Sequence, residues 1–248
     1  MSVGLATNGA IAHLTLERPA ALNALDRATA DALEEALGRL AASSETLVVV
    51  VSGRGRAFCA GNDVAEMPGL DAAAAEALSR RWQAIMDRFA RLPQVTIAAV
   101  RGYALGGGCM LAAAQDLRVA EASARLGLPE IALGFNPSYG ITRLLQIVGS
   151  GPALDLLLTG RSVDAAEALR MGLVTRVVPD GALDEEATAL AAEIARHPRT
   201  GLAATKAIVA DIHAGKTGDA AAAYAAALGS AEGRARIAAF LTRKGRAR

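Results

Sequence analysis

Three consecutive glycines, Gly106, Gly107 and Gly108, stand directly before the apolar run 109–114. A glycine loop that opens a helix brings bare backbone N–H groups close to a bound group. The N-terminus of a helix carries about half a positive charge, so this place suits an oxygen that becomes negative during a reaction. Further along, Glu130 is a lone carboxylate in the otherwise apolar segment 126–133. An anion-stabilising loop and a carboxylate base are the minimum parts for removing a proton next to a carbonyl.

Other residues that carry chemistry are less well placed. His13, His197 and His213 stand far from these motifs and form no ligand pair, and a triad around Ser or Cys has no local support. Cys59 and Cys109 sit in small, apolar contexts without metal-ligand spacing and read as buried, reduced thiols, so no metal is expected. The glycine triplet does not follow a dinucleotide fingerprint, which disfavours nicotinamide or flavin.

The elements that must position Glu130 and the glycines follow from periodicity. Residues 10–16 read as a strand, and 46–51 and 95–100 as buried strands. Residues 26–40 form a helix with Asp26 as N-cap and Leu33, Ala36, Leu37 and Leu40 at helical spacing. A long helix spans 72–92, the glycine loop leads a helix over 106–115, and 116–120 is a third short buried strand. This alternation predicts α/β layering with parallel pairing. After Pro137 the pattern turns helical: 141–148, 152–158, 164–171, 183–195, 202–212 and 219–228. A core over 1–195 followed by a helical region over 196–248 is the expected division.

Composition sets the outer limits. A chain of 248 residues, 52% hydrophobic and 3% aromatic, must build its core from Ala, Leu and Val. A net charge of +1 gives no bulk attraction to nucleic acid or an anionic membrane. No leader-like segment opens the sequence and no run is long enough to span a bilayer, so the cytoplasm is the expected compartment. The tail 243–248 is basic, either a solvated end or an anion contact.

Four stretches in order resemble the crotonase (enoyl-CoA hydratase/isomerase) superfamily over nearly the whole chain: Arg18-Pro19-Ala20-Ala21-Leu22-Asn23-Ala24-Leu25, Arg56-Ala57-Phe58-Cys59-Ala60-Gly61-Asn62-Asp63-Val64, Gly102-Tyr103-Ala104-Leu105-Gly106-Gly107-Gly108-Cys109, and Leu128-Pro129-Glu130-Ile131-Ala132-Leu133-Gly134. The resemblance implies a spiral of ββα units followed by a helical trimerisation region. It implies an acyl-CoA thioester substrate, no cofactor beyond its CoA moiety, and a homo-oligomer, trimer or dimer of trimers. It places the thioester oxygen between the backbone N–H groups of Asn62 and Gly107. One such donor is typically worth roughly 3–4 kcal/mol of transition-state stabilisation. It also implies CoA contacts around Arg18, Ala21, Leu22, Ala60, Asp63, Val64 and Arg243. For Asp63 and Glu66 a capping or surface role is the plainer reading.

The departures from that family are specific. Its hydratases use two glutamates, one three residues after the middle glycine and one in the Pro-Glu segment. The first place is Met110 here, whereas Glu130 keeps the second. This pattern is similar to Δ3,Δ2-enoyl-CoA isomerases, where one base removes a proton at C2 and returns it at C4. Isomerisation is therefore the expected reaction. Hydration with Glu130 and an ordered water held elsewhere is the alternative, and a non-catalytic acyl-CoA-binding subunit a further one. Met110 helps such a base by desolvation, or simply fills the core. Ala20 stands where relatives often carry a CoA-contacting lysine. Pro137-Ser138-Tyr139-Gly140 replaces a glycine-rich turn, with Tyr139 expected to fill space or donate a hydrogen bond and Ser138 to add a polar contact.

Overall fold

A computed structural model describes residues 2–246, with side chains through residue 242. The chain opens with an antiparallel hairpin, β1 (Val3–Asn8) and β2 (Ile11–Leu16), followed by α1 (Arg27–Ala42). Asp26 caps α1, accepting from the Thr29 N–H at 2.7 Å, and Leu33, Ala36, Leu37 and Leu40 are buried as the spacing predicts.

A unit then repeats three times: a strand of a large sheet, within a few residues a short strand of a second sheet, then a helical segment. The first unit is β3 (Val48–Gly53), β4 (Ala57–Cys59) and α2 (Ala72–Arg91). The second is β5 (Val95–Val100), β6 (Tyr103–Leu105) and α3 (Gly107–Ala114). The third is β7 (Leu117–Glu121), β8 (Arg125–Gly127), the 3-10 turn Pro129–Leu133 and α4 (Ile141–Val148). The chain continues through α5 (Ser150–Thr159), β9 (Ser162–Asp164), α6 (Ala165–Arg170), β10 (Arg176–Val178) and α7 (Leu183–Ala195). It ends in α8 (Arg199–His213), α9 (Ala220–Gly229) and α10 (Ala231–Arg246).

The large sheet has the order β1-β2-β3-β5-β7-β10 and is parallel except for β1. The small one is β4-β6-β8-β9, with β9 antiparallel. Each unit thus steps from one sheet to the other, which is the spiral of ββα units. Both faces of β3 are buried along its four valines, 48–51, as a continuous apolar run requires. Val49 and Val51 face the main core with α1 and α2, while Val48 and Val50 meet Leu183, Ala187 and Leu190 of α7. All eight residues of α3 are buried, so this helix is apolar on every side. Among the described residues, no helix is long and apolar enough to cross a membrane.

Candidate active site

The steps between the two sheets bring the glycine loop, the loop after β4 and the turn after β8 to one cavity of about 530 Å³. Ala60, Asn62, Asp63, Val64, Gly107, Met110, Glu130, Ser138 and Tyr139 all line it, so nine of the anticipated site residues meet there.

Glu130 sits in the first turn of Pro129–Leu133, which starts at a proline and closes on left-handed Gly134. Its side chain lies over Gly106: a methyl group placed on that glycine would lie 2.7 Å from Oε1. Oε2 is buried and accepts no hydrogen bond. Burial therefore pushes the Glu130 carboxyl above the ordinary glutamate range. Asp63 and Glu66 also border the cavity, and both are occupied. Asp63 accepts from Arg18 at 3.0 Å and from the Ala65 N–H at 3.2 Å. Glu66 accepts from the Arg27 N–H at the start of α1, at 3.2 Å. Both fit the capping reading. Among the described residues lining the cavity, Glu130 is the one carboxylate with a buried oxygen that accepts no hydrogen bond.

Two main-chain N–H groups, of Asn62 and Gly107, belong to residues that line the same cavity. Loop 60–63 lies beside Leu25 as a parallel bridge: the Leu25 N–H donates to Gly61 O at 2.8 Å and the Asp63 N–H to Leu25 O at 2.9 Å. That pairing leaves the intervening Asn62 N–H pointing the other way. Gly107 is the first residue of α3, where N–H groups have no partner within the helix. Neither N–H finds a protein acceptor among the described residues. The two loops touch, since a methyl on Gly61 would lie 3.5 Å from the Gly107 nitrogen. Gly106 has φ 52° and ψ −126°, a backbone that requires glycine.

Tyr139 departs from the space-filling expectation, because its hydroxyl donates to Asn62 Oδ1 at 2.7 Å. The two polar groups press on Gly107, where a methyl would lie 2.2 Å from Tyr139 Oη and 2.5 Å from Asn62 Oδ1. Three residues of α2 at i, i+3 and i+4 hold this segment. Ser79 Oγ donates to Ser138 O at 2.9 Å, Trp82 stacks on Tyr139 with ring centres 6.3 Å apart, and Gln83 Oε1 accepts from the Gly140 N–H at 2.9 Å. Sequence reading missed this platform. Its signal was the spacing of Ser79, Trp82 and Gln83, which is legible only once the partner segment is known. Met110 is buried with its sulfur against Gly140.

In the early motif, the guanidinium of Arg18, a residue the resemblance associates with CoA, is engaged by the protein itself. It donates to Ala24 O at 2.6 Å and pairs with Asp26 and Asp63 at 3.2 and 3.0 Å. Ala21 and Leu22 do not line the cavity; Ala21 O and Leu22 O accept from the Ala24 and Ala60 N–H groups. Asn23, in left-handed backbone at φ 58°, donates to Arg54 O and Ala57 O. The whole stretch braces the loop that carries Asn62. The Arg243 side chain lies outside the described residues.

Two main-chain amides without a protein acceptor among the described residues and one desolvated carboxylate thus border the same cavity. Residues 6–230 match the family described as enoyl-CoA hydratase/isomerase. A short-chain-enoyl-CoA hydratase of Clostridium acetobutylicum is 38% identical over 195 residues, covering 78% of this chain and 75% of that one. The 2,3-dehydroadipyl-CoA hydratase of Escherichia coli is 42% identical over 194 residues, covering 78% and 75%. The crystal structure of an enoyl-CoA hydratase from Bacillus anthracis superposes with a TM-score of 0.91 at 31% identity, over 98% of this chain and 97% of that one. The chain belongs to the enoyl-CoA hydratase/isomerase family and has the crotonase fold.

Proposed function

We propose that this protein moves a proton at C2 of an acyl-CoA thioester through an enolate, with Glu130 as the sole acid–base group. The observation that supports the reading is the desolvated Glu130 carboxylate in the cavity, with its buried Oε2 unbonded. Ionised Glu130 takes the C2 proton, and the C–H pair moves toward the thioester carbonyl. The negative oxygen is held by the N–H groups of Asn62 and Gly107. Returning the proton at C4 of a 3-enoyl-CoA moves the double bond and needs no other group, so double-bond migration is our first reading. Ala60 and exposed Val64 at the mouth are placed to meet the CoA portion, and Ser138 and Met110 shape the acyl pocket.

A second reading is hydration, favoured by the names of the relatives, which are hydratases. The test is the same purified protein on two substrates: conjugation of a 3-enoyl-CoA followed by ultraviolet absorbance, and loss of the conjugated band of crotonyl-CoA. Incorporation of deuterium at C2 of butyryl-CoA in heavy water tests the shared enolate step. Absence of exchange would remove the proposal. Hydration without any conjugation of a 3-enoyl-CoA would transfer it to the second reading.

A further inference from the structure

A second cavity, of about 350 Å³, lies between α8 and the large sheet and shares no lining residue with the first. Val95, Leu117, Ile194 and Leu202 give it apolar walls, and Arg143, Lys206, Asp116 and His213 are charged or polar members of its lining. Arg143 of α4 donates through Nε to Ala113 O at 3.2 Å and through one Nη to Gln115 O at 3.5 Å, and its other Nη meets His213 Nδ1 at 2.9 Å. Those contacts occupy three of the five N–H groups of a guanidinium. The other two have no acceptor among the described residues.

Charge does not balance around this cavity. Arg118 is buried and donates to Gln115 O and to Leu173 O, both at 2.7 Å, so two guanidiniums meet on the Gln115 carbonyl. Neither Arg118 nor Arg143 forms an ion pair among the described residues. Lys206, also buried, pairs with Asp116 at 2.7 Å. Asp116 is the one carboxylate among the described residues whose field reaches any of these three cations. Two buried cations and one half-buried cation thus share a single anion. Carbonyl dipoles at the end of α3 hold the guanidiniums but carry no full counter-charge. Burial keeps all three groups below their ordinary ranges, and Arg143 adds repulsion on Arg118 and Lys206. Enclosed charge without its opposite is costly, and an anion beside Arg143 relieves that cost.

We propose that this cavity binds a small organic monocarboxylate, its head on the spare N–H groups of Arg143 and its chain along the apolar walls. A carboxylate matches the planar guanidinium, which offers parallel N–H groups. A single charge suits the site, because Asp116 already stands in it and repels a second. The apolar walls favour a hydrocarbon chain over an inorganic anion.

The test is calorimetric titration of hexanoate, hexanamide and inorganic phosphate into the wild-type protein, Arg143→Gln and Ala210→Phe. Ala210 lines the cavity, so Ala210→Phe fills the space and keeps every charge. The expected result is one hexanoate per chain with a dissociation constant of about 1 mM or tighter, and at least tenfold weaker binding of the uncharged hexanamide. Each variant, shown to be folded by circular dichroism, should weaken hexanoate at least tenfold. Should Arg143→Gln not fold, Ala210→Phe decides. A wild type that takes up no hexanoate, or binds hexanamide as well, or binds phosphate more tightly, overturns the proposal. So does a hexanoate affinity that survives in a folded variant. No turnover is involved, so failure of the C2 chemistry at Glu130 leaves this test standing.

Discussion

A carboxylate with one oxygen buried and unbonded is costly to ionise, and under the proposed mechanism a carboxyl raised above the ordinary glutamate range is a stronger base. Glu130→Gln keeps the shape and removes the base, so C2 exchange should fall about 10²–10⁴-fold, measured by deuterium incorporation. The same substitution should stabilise the protein at neutral pH. The folded-state pKa lies above the unfolded one, so the group destabilises the fold once the pH exceeds its unfolded value and has no effect well below it. A gain on the order of 1 kcal/mol corresponds to about 2–4 °C in a chain of this size, seen by thermal melts, and it should vanish in acid. The pH–rate profile of exchange should rise through an apparent pKa above the 4.5 of a free glutamate. Glu130 was legible in the sequence because a charge in an apolar run is conspicuous. The Asn62–Tyr139 bond was not, because it joins residues far apart in the chain that no periodicity relates.

Long elements were legible because burial imposes a period on them. The apolar stripe of α1, the valines of β3 and the glycine start of α3 all stand where the pattern placed them. The three-residue strands β4, β6 and β8 were not found, since they are too short to show alternation and exist only as partners of one another. They are nevertheless what carries the site, with loop 60–63 leaving β4 and the glycine loop leaving β6. The attachment of α8 was hidden in the same way. Lys206 is buried, donates to Gln94 O at 2.7 Å and pairs with Asp116 at 2.7 Å. Asp116 in turn accepts from the Thr96 N–H of β5. Lys206→Met leaves that carboxylate without its cation, which should cost about 3 kcal/mol. A fall in melting temperature of roughly 6–12 °C is expected, with little change in C2 exchange.

At the scale of the whole molecule, apolar side chains are left in the open on the last helices. Ile212, Tyr224, Phe240 and Leu241 are each more than half exposed. Such a surface is typical of a face covered by another copy. The predicted result from sedimentation equilibrium is a multiple of 25.3 kDa, threefold for a trimer; a monomer at micromolar concentration would contradict it. The family's motifs, in their order along the chain, identified the fold, and Arg18 pairs with Asp26 and Asp63 beside the loop that carries Asn62. The two thiols have a practical consequence. Cys59 ends β4 just before one amide-bearing loop, and Cys109 lies in the first turn after the other. Both are fully enclosed, and burial lifts each to about 12. An alkylating reagent needs a thiolate it can reach, so labelling must wait for β4 and α3 to part. Iodoacetamide uptake counted by mass spectrometry is thus a built-in clock for breathing around the candidate site, and a tightly held thioester should slow it.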